Sequence, residues 1–162
     1  MVINGNALKF YQPVEPFIEE KLKHESGTSY GLGEAGYDVR IRQNILFSCN
    51  DLVIVDGLPI EGHFALASTV ERFKMPSNLV AIVHDKSTWA RQGLSVFNTV
   101  IEPGWEGFLT LELNYCGKKD LLIPAGSGIA QVVFHQIAMP AKYDGKYQNQ
   151  PDRPVESIWQ RS

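Results

Sequence analysis

Hydrophobic and polar positions alternate along much of the chain, and a period of two is typical of β-strands. Residues 108–115 show it most clearly, because leucine or tyrosine at the odd positions alternates with polar residues such as Thr110, Glu112 and Asn114. Similar alternation, or short apolar runs, predict further strands over residues 37–41, 45–47, 52–55, 64–70, 79–83 and 129–137. Glycine and proline separate these segments, so the pattern predicts a mainly β fold, either a sandwich or a barrel.

Two segments near the N-terminus depart from the strand pattern. Residues 16–24 predict a short helix, since Phe17, Ile18 and Leu22 fall on one side at helical spacing. Residues 26–36 contain four glycines and predict a loop. The N-terminal part is therefore expected to be mixed, and the rest of the chain mainly β.

A second short helix is predicted inside the β region, over residues 87–92. Asp85 or Ser87 can cap its start, and Gly93 fits just beyond its end. The free backbone amides at that start, next to the mobile charge of Lys86, suit an anion such as a phosphate. A capped surface turn between two strands explains the same residues, and the local pattern alone favours this plainer interpretation.

The composition, with 44% apolar and 20% charged residues, is that of one globular domain spanning residues 1–162. The tail from about residue 140 to residue 162 is polar and contains several prolines, which predicts an arm ordered only against another surface. A net charge of −3 argues against a nucleic-acid polymer as partner, whereas a small anionic ligand needs only a local basic pocket. No apolar run approaches the roughly 20 residues of a membrane span, so no membrane partner is predicted.

Location and metal chemistry follow from a few residue types. Cys49 and Cys116 are too few for a disulfide framework, and the N-terminus lacks a signal-peptide pattern, so a cytoplasmic location is predicted. Zinc-dependent nucleobase deaminases carry H-x-E together with P-C-x-x-C. The chain has no C-x-x-C, and none of its four histidines begins an H-x-E. A deaminase with this sequence would have to activate water with side chains and backbone, without zinc.

Two glutamates after the second predicted helix are candidates for chemistry. Glu112 lies within a strand, where a lone glutamate is more often solvated. In a closed pocket, burial would raise the pKa of Glu112 and let it shuttle protons near neutral pH. Three interpretations of Arg91 are open: it is the partner of Glu112, it contacts an oxyanion that leaves in the reaction, or it is a surface residue of the helix whose aliphatic side-chain carbons are buried. Glu102 is a plain loop residue or an acceptor for a sugar hydroxyl, and Trp105 is a core residue or stacks on a sugar or base.

Six segments of the sequence, in order, resemble the dCTP deaminase family of the trimeric dUTPase-like superfamily. They are residues 34–40, 64–76, 86–93 (Lys-Ser-Thr-Trp-Ala-Arg-Gln-Gly), 102–112 (from Glu-Pro-Gly-Trp-Glu-Gly to Thr-Leu-Glu), 128–134 and 145–150. One such segment is a weak signal, and six in the right order are a specific one. The resemblance implies a distorted β-barrel (a dUTPase-like β-clip) and a homotrimer with active sites shared between subunits. It also implies no zinc, and a Mg2+ ion held mainly through the substrate triphosphate.

The resemblance also implies a role for each matched residue. Glu112 would be the general base and acid, Ser87 and the backbone carbonyl near Val100 would position the water, and Arg91 would stabilise the active arrangement. Glu102 would hold the sugar 3′-hydroxyl. At the phosphates, the resemblance implies contacts from Lys86, Ser87, Thr88, Tyr143 and Lys146. Trp105 would pack on the deoxyribose, and Thr110, Leu111 and Gln150 would lie near the base. Arg91, Val100 and Glu102 complete the set of implied substrate contacts.

The implied reaction is deamination of dCTP to dUTP and ammonia, which supplies dUTP for dUMP and dTTP synthesis. As product or feedback ligand, dUTP or dTTP would then bind as well. An alternative is a dUTPase or a bifunctional deaminase and pyrophosphatase, in which Glu102 would activate water against the α-phosphate. Most dUTPases have aspartate there, and they lack a base-facing glutamate such as Glu112. A non-catalytic nucleotide-binding module is a third interpretation, and the presence of Ser87, Arg91 and Glu112 together speaks against it.

The chain departs from the family pattern at four points, one of which is a short arm between Tyr143 and Lys146. Lys86 stands where many members have arginine, so a bidentate phosphate contact is lost. No His-Arg pair lies between Thr99 and Glu102, although many members have one. Residues 151–154 read Pro-Asp-Arg-Pro in place of a glycine-rich continuation, so closure of the arm is expected to differ.

Overall fold

The computed structural model describes residues 1–159, and within them the fold is built almost entirely from short β-strands. The two helices of this part of the chain are α1 (Gly5–Tyr11) and α2 (Ser87–Ala90). The strands are β1 (Val2–Ile3), β2 (Val14–Glu15), β3 (Lys21–Lys23), β4 (Ser29–Leu32), β5 (Tyr37–Arg40), β6 (Ile45–Ser48), β7 (Leu52–Val55), β8 (Leu58–Glu61), β9 (Phe64–Lys74), β10 (Leu79–Asp85), β11 (Leu94–Val96), β12 (Val100–Ile101), β13 (Glu106–Tyr115), β14 (Leu121–Ile123) and β15 (Gly128–Gln136). Neither helix is long and apolar enough to cross a membrane.

The strands form three antiparallel sheets around a common core. The largest has the order β12-β10-β15-β5-β4-β3, with β1 also paired to β15, and the others have the orders β11-β13-β9-β2 and β14-β6-β7-β8. An isolated bridge between Ile41 and Thr69 links the end of β5 to β9. Large buried side chains such as Tyr37, Phe47 and Phe134 fill the space that the sheets enclose. The predicted mainly β, distorted-barrel fold is confirmed.

Strand β13 carries the alternation that the sequence predicts. Leu111 and Leu113 are buried against the core, whereas Glu112 lies on the opposite face and is only partly buried. The pairing of β13 with β9 shifts register between Phe108 and Thr110, and the Thr69 hydroxyl accepts the Leu109 N–H at this irregularity. One face of β13 therefore belongs to the core, and the other is left for a site.

A buried ion pair joins two of the sheets. Arg40 on β5 donates from its side-chain Nε to Oε1 of Glu71 on β9 at 2.7 Å, and its backbone N–H donates to Oε2 at 2.9 Å. The Glu71 side chain is fully buried, and burial raises the pKa of its carboxyl although Arg40 opposes this shift. Loss of Arg40 would leave a buried carboxylate unpaired, which is strongly destabilising.

Both predictions for the N-terminal part were wrong. Residues 16–24 are not helical, because their backbone is used by distant partners: Ile18 N–H donates to the Tyr37 hydroxyl, and Lys21–Lys23 pairs with β4. The glycine-rich residues 26–36 contain β4 instead of a continuous loop. A Cβ at Gly31 would lie 2.3 Å from the Glu20 carbonyl oxygen, so glycine there permits a close approach of two backbones. The N-terminal helix is instead α1, which buries only Leu8.

The predicted helix at residue 87 is confirmed over Ser87–Ala90, but its predicted cap is wrong. Lys86 occupies the N-cap position, and no side chain caps the helix. Asp85 does not cap because its carboxylate accepts the Val96 N–H at 2.7 Å and so ties β10 to β11. The helix ends at Ala90 with Arg91 as its C-cap, two residues before the predicted end, and Gly93, with φ +97°, lies in the turn that follows, where its N–H donates to the Ala90 carbonyl.

Candidate active site

A cavity of about 730 Å3 opens beside the outer face of β13, between β9, β12 and the C-terminal arm. The predicted site residues among its lining are Val100, Glu102, Trp105, Thr110, Glu112, Tyr143 and Gln150. Apolar side chains of β8 and β9, including Ile60 and Phe64, form another part of the wall. A mainly apolar cavity with a few convergent polar groups is typical of a small-molecule site.

Glu112 is the carboxylate that the fold buries in this cavity. Its Oε2 is buried and makes no hydrogen bond with any residue of the described chain. Burial removes water from the carboxyl and raises its pKa, although its own backbone amide lowers it slightly. The backbone of Glu112 is fixed, since it pairs with Leu66 and its carbonyl accepts the Phe97 N–H. An unpartnered carboxyl with a raised pKa on a rigid strand is suited to proton transfer.

The turn before β13 forms a second wall. Trp105 N–H donates to the Glu102 carbonyl, and Gly104 adopts φ +72° between them. The Trp105 ring is 5% exposed and packs on Phe73, with ring centroids 6.1 Å apart. Its indole N–H donates at 2.6 Å to the Tyr147 carbonyl in the arm. Trp105 is therefore both a core residue and a part of the cavity wall.

The arm lies along the edge of β13 in this chain. Tyr143 N–H donates to the Pro103 carbonyl, Asn149 N–H donates to the Glu106 carbonyl, and Phe108 N–H donates to the Gln150 carbonyl. These bonds carry the arm over the cavity and bring Tyr143 and Gln150 into its lining. The predicted surface against which the arm is ordered is thus the barrel itself.

Lys146, predicted to meet phosphate, does not line the cavity. Its ammonium donates to the Ile158 carbonyl and lies 5.1 Å from the centre of the Tyr147 ring. Leu111 also lies outside the lining, since its side chain is buried in the core on the other face of β13. Any contact that Leu111 makes with a ligand in the cavity would have to come from its backbone.

The residues of α2 lie apart from Glu112. Ser87, Thr88 and Arg91 are exposed, and none of them lines the cavity. Lys86 is drawn the other way, toward the large sheet, where its ammonium donates to Asp38 at 2.5 Å and to the Ser29 hydroxyl at 3.0 Å. Within one chain, therefore, the predicted phosphate segment and the predicted proton shuttle do not meet.

Comparison with known proteins identifies the family. A family profile described as dCTP deaminase-like matches residues 57–137. The dCTP deaminase of Protochlamydia amoebophila is 34% identical over 163 residues, covering 85% of this chain and 86% of that protein. The dCTP deaminase of Campylobacter fetus subsp. fetus is 37% identical, covering 86% of both. The chain belongs to the dCTP deaminase family. The family predicted from the six sequence segments is therefore confirmed.

Solved structures agree on the fold of this family member. The dCTP deaminase of Agrobacterium tumefaciens superposes with a TM-score of 0.54 at 17% identity, covering 82% of this chain and 47% of that protein. The dUTPase of EIAV gives a TM-score of 0.52 at 21% identity, covering 70% of this chain and 84% of that protein. A dUTPase mutant from Staphylococcus aureus phage phi11, described with a structural Mg(II) ion, gives a TM-score of 0.54 at 15% identity. The match covers 82% of this chain and 92% of that protein.

The cavity includes residues that the sequence did not indicate. Val155, Glu156 and Ser157 line it, although the predicted arm contacts ended at Gln150. The segment is held there by an ion pair of 2.5 Å between Arg42 and Asp152 and by a hydrogen bond from Val155 N–H to the Thr110 hydroxyl. The departure from the family pattern at residues 151–154 was the one available signal. This departure indicated that the segment is unusual, but it did not predict the contacts of the segment with Arg42 and Thr110.

Proposed function

We propose that this chain catalyses the hydrolytic deamination of dCTP to dUTP and ammonia. The observation that carries the proposal is Glu112, a carboxyl with one buried oxygen that has no partner within residues 1–159, in the lining of the cavity. Membership of the dCTP deaminase family supports the same reaction. The whole of residues 1–162 would act as one domain in the cytoplasm, although residues 160–162 lie outside the described part of the chain.

In the proposed reaction, Glu112 moves protons while water replaces an amino group. The water oxygen attacks C4 of the cytosine ring, and Glu112 accepts a proton from that water. The carboxyl passes this proton to ring nitrogen N3, which gives a tetrahedral C4 that carries a hydroxyl and the amino group. Glu112 then moves the remaining proton of the water from the C4 hydroxyl to the exocyclic nitrogen, the C4–N4 bond breaks, and ammonia leaves the C4 carbonyl of a uracil ring. The raised pKa of Glu112 favours this double role, because the group must bind and release a proton under the same conditions.

The other cavity residues would hold the nucleoside. Gln150 would contact the base from the arm, and Glu102 would accept the 3′-hydroxyl of the sugar. The Trp105 ring is fixed by its indole hydrogen bond to the arm, so it would form a rigid surface against deoxyribose and disfavour a 2′-hydroxyl. The backbone near Val100 would hold the attacking water.

Lys86, Ser87 and Thr88, at the start of α2 in a neighbouring subunit, would bind the phosphate groups. Ser87 would also help to position the water, and Arg91, just after α2, would stabilise the active arrangement. Ser87, Thr88 and Arg91 are exposed on their own chain, which leaves them free to reach another copy. The exposed apolar side chains Phe64, Phe97 and Val100 near the cavity provide surface for such a contact. A homotrimer with three shared sites is the proposed assembly, since a closed ring repeats a single interface.

Mg2+ is the proposed cofactor, bound mainly through the triphosphate. Mg2+ sites commonly use one or two carboxylates together with substrate phosphates. Residues 1–159 contain no group of three His, Cys, Asp or Glu side chains arranged to hold a metal. When bound, the ion would neutralise phosphate charge. Independence from zinc stays a prediction based on the missing zinc motif.

Hydrolysis of dUTP is a second candidate function. Glu102 lines the same cavity as Glu112, and this supports the alternative in which Glu102 would activate water as the corresponding carboxylate of dUTPases does. In this alternative, water would attack the α-phosphate and pyrophosphate would leave. A bifunctional enzyme would perform both steps in one cavity.

Parallel assays of two products distinguish these functions. The protein would be incubated with dCTP, dCMP, CTP and dUTP, and ammonia and pyrophosphate would be measured separately. A dCTP deaminase releases ammonia from dCTP and little or none from CTP, and it releases no pyrophosphate from dUTP. Glu112→Gln and Glu102→Gln serve as matched variants. Two activities are indicated if Glu112→Gln loses only ammonia release from dCTP and Glu102→Gln loses only pyrophosphate release from dUTP. A protein that releases no ammonia from dCTP would contradict the proposal.

A further inference from the structure

The Thr110 hydroxyl connects the floor of the cavity to the arm above it. Thr110 is 6% exposed and lies two residues before Glu112 on β13. Its Oγ1 accepts the Val155 N–H at 3.0 Å and donates to Oε1 of Gln150 at 3.0 Å. A hydroxyl has one proton to donate, so this arrangement uses that proton on Gln150 and one lone pair on Val155.

The backbone of Gln150 is fixed independently of this hydroxyl. Its carbonyl accepts the Phe108 N–H at 3.1 Å, and the residue forms a bridge with Gly107. A Cβ at Gly107 would lie 2.6 Å from the Gln150 nitrogen, so the glycine allows the arm to approach β13 closely. With the main chain held in this way, the remaining freedom of Gln150 is in its side chain, and Thr110 occupies the amide oxygen.

We propose that Thr110 is a positioning residue that presents the NH2 group of Gln150 to the ligand. In the part of the chain that the structure describes, Nε2 of Gln150 makes no hydrogen bond, and the residue lines the cavity. Gln150 is therefore a hydrogen-bond donor to an acceptor of the bound molecule, and the ring carbonyl oxygen of a pyrimidine is such an acceptor. The inference rests on the proposed function for the identity of the ligand.

The orientation of the amide matters because its two ends have opposite chemistry. An amide turned by 180° would present its oxygen to the ring carbonyl, and two acceptors facing each other repel. A donor at the ring carbonyl also stabilises electron density that moves toward that oxygen when the ring is attacked. Thr110 thus acts through Gln150, and its loss should weaken binding of the base more than binding of the phosphates.

Three substitutions separate this role from general stability. Thr110→Val keeps the shape but removes the hydroxyl, and Thr110→Ser keeps the hydroxyl. Gln150→Glu accepts the same hydrogen bond from Thr110 but has no NH2 group. Each would be made together with Glu112→Gln, so that dCTP binds without turnover, and affinity would be measured by titration calorimetry for dCTP and for inorganic tripolyphosphate, which has no base.

We expect Thr110→Val and Gln150→Glu to weaken dCTP binding by about tenfold, the effect of about one hydrogen bond. Thr110→Ser should stay within about twofold, and none of the variants should change tripolyphosphate binding. Trypsin cleavage at Lys142 and Lys146 in the arm would report whether it stays docked. If Thr110→Val does not fold, the comparison of Gln150→Glu with Thr110→Ser replaces it.

Several results would overturn the inference. The first is equal dCTP affinity in Thr110→Val and Thr110→Ser. The second is a loss of tripolyphosphate binding that parallels the loss of dCTP binding. The third is wild-type dCTP affinity in Gln150→Glu. A different result would contradict the proposed function and leave the positioning role of Thr110 intact. A wild-type protein that binds dCTP and responds to these variants but releases no ammonia would retain the positioning role and lose the deaminase. A protein that binds no dCTP would contradict both.

Discussion

Glu112→Gln is the substitution that tests the proposed chemistry most directly. Glutamine keeps the size of the side chain but cannot accept and return a proton. Because Oε2 of Glu112 has no hydrogen-bond partner among residues 1–159, an amide at this position breaks no contact within that part of the protein. We therefore expect dCTP binding to survive and ammonia release to be lost.

The expected size of the loss follows from the role of the carboxyl. A positioned general acid or base contributes on the order of 100-fold to 10,000-fold to the rate. Each factor of ten corresponds to about 1.36 kcal/mol, so the barrier should rise by roughly 2.7 to 5.4 kcal/mol. Glu106, on the same strand, provides a matched control, since its side chain pairs with Arg72 at 2.9 Å outside the cavity lining. Glu106→Gln should keep near wild-type turnover.

The pH dependence of the wild type gives a second test of Glu112. Burial raises the pKa of Glu112, so the ionised form that accepts a proton from water disappears as the pH falls through a value above that of an ordinary glutamic acid. The acid limb of the kcat profile should lie there. Burial of the charge also costs stability, and this cost grows as the pH rises from the unfolded pKa to the folded one. Glu112→Gln should therefore be at least as stable as the wild type at neutral pH.

The assay combines ammonia release, calorimetric dCTP binding and thermal unfolding on the wild type and both glutamine variants. Near wild-type turnover of Glu112→Gln would refute the role of Glu112 as the proton shuttle. Loss of dCTP binding together with turnover would show that the residue holds the base instead of moving protons.

Four further outcomes are expected. Truncation before Tyr143 should leave the barrel folded, because β15 ends at Gln136. The truncated protein should turn over dCTP much more slowly, since its cavity is more open to water. Unchanged turnover would show that the arm plays no part in the mechanism. Light scattering should show a trimer, and an active monomer would contradict the shared site. Turnover should need no zinc and should rise with Mg2+; zinc-specific rescue after chelation would contradict this. Arg40→Ala should lower the unfolding free energy in urea by about 3 to 5 kcal/mol, because it leaves Glu71 buried and unpaired, and a loss below 1 kcal/mol would be inconsistent with that pair.

The parts of the fold that were predictable are those specified by local pattern. The period-two alternation of residues 108–115 identified β13 and placed Glu112 on the face away from Leu111 and Leu113. The short helix that begins at Ser87 was predicted from candidate caps and from Gly93, and the structure has a helix there, although it ends earlier, at Ala90. Each of these signals is contained within about ten residues, so the sequence carries it without knowledge of the rest of the chain.

The parts that were not predictable depend on distant partners. Phe17, Ile18 and Leu22 have helical spacing, but Phe17 packs on Tyr37 with ring centroids 5.2 Å apart and Leu22 pairs with Tyr30. Once β4 takes up their hydrogen-bonding groups, a helix cannot form there. The same reasoning explains why Val155 to Ser157 were missed, because their place in the cavity depends on Arg42 and Thr110, which are far away in sequence.

The predicted role of Lys86 at a phosphate depends on what a neighbouring subunit presents to its ammonium. The lysine side chain is 11% exposed, and Asp38 and Ser29 hold its ammonium. An ammonium has three N–H donors, and these two contacts leave one for a phosphate oxygen. Asp38, with one carboxylate oxygen buried and unpartnered within the described residues, fixes the ammonium without using all of its capacity. We therefore expect a phosphate that is presented at a subunit contact to bind Lys86 through this third N–H without breaking the ion pair, so that a single lysine contact would replace the bidentate arginine contact.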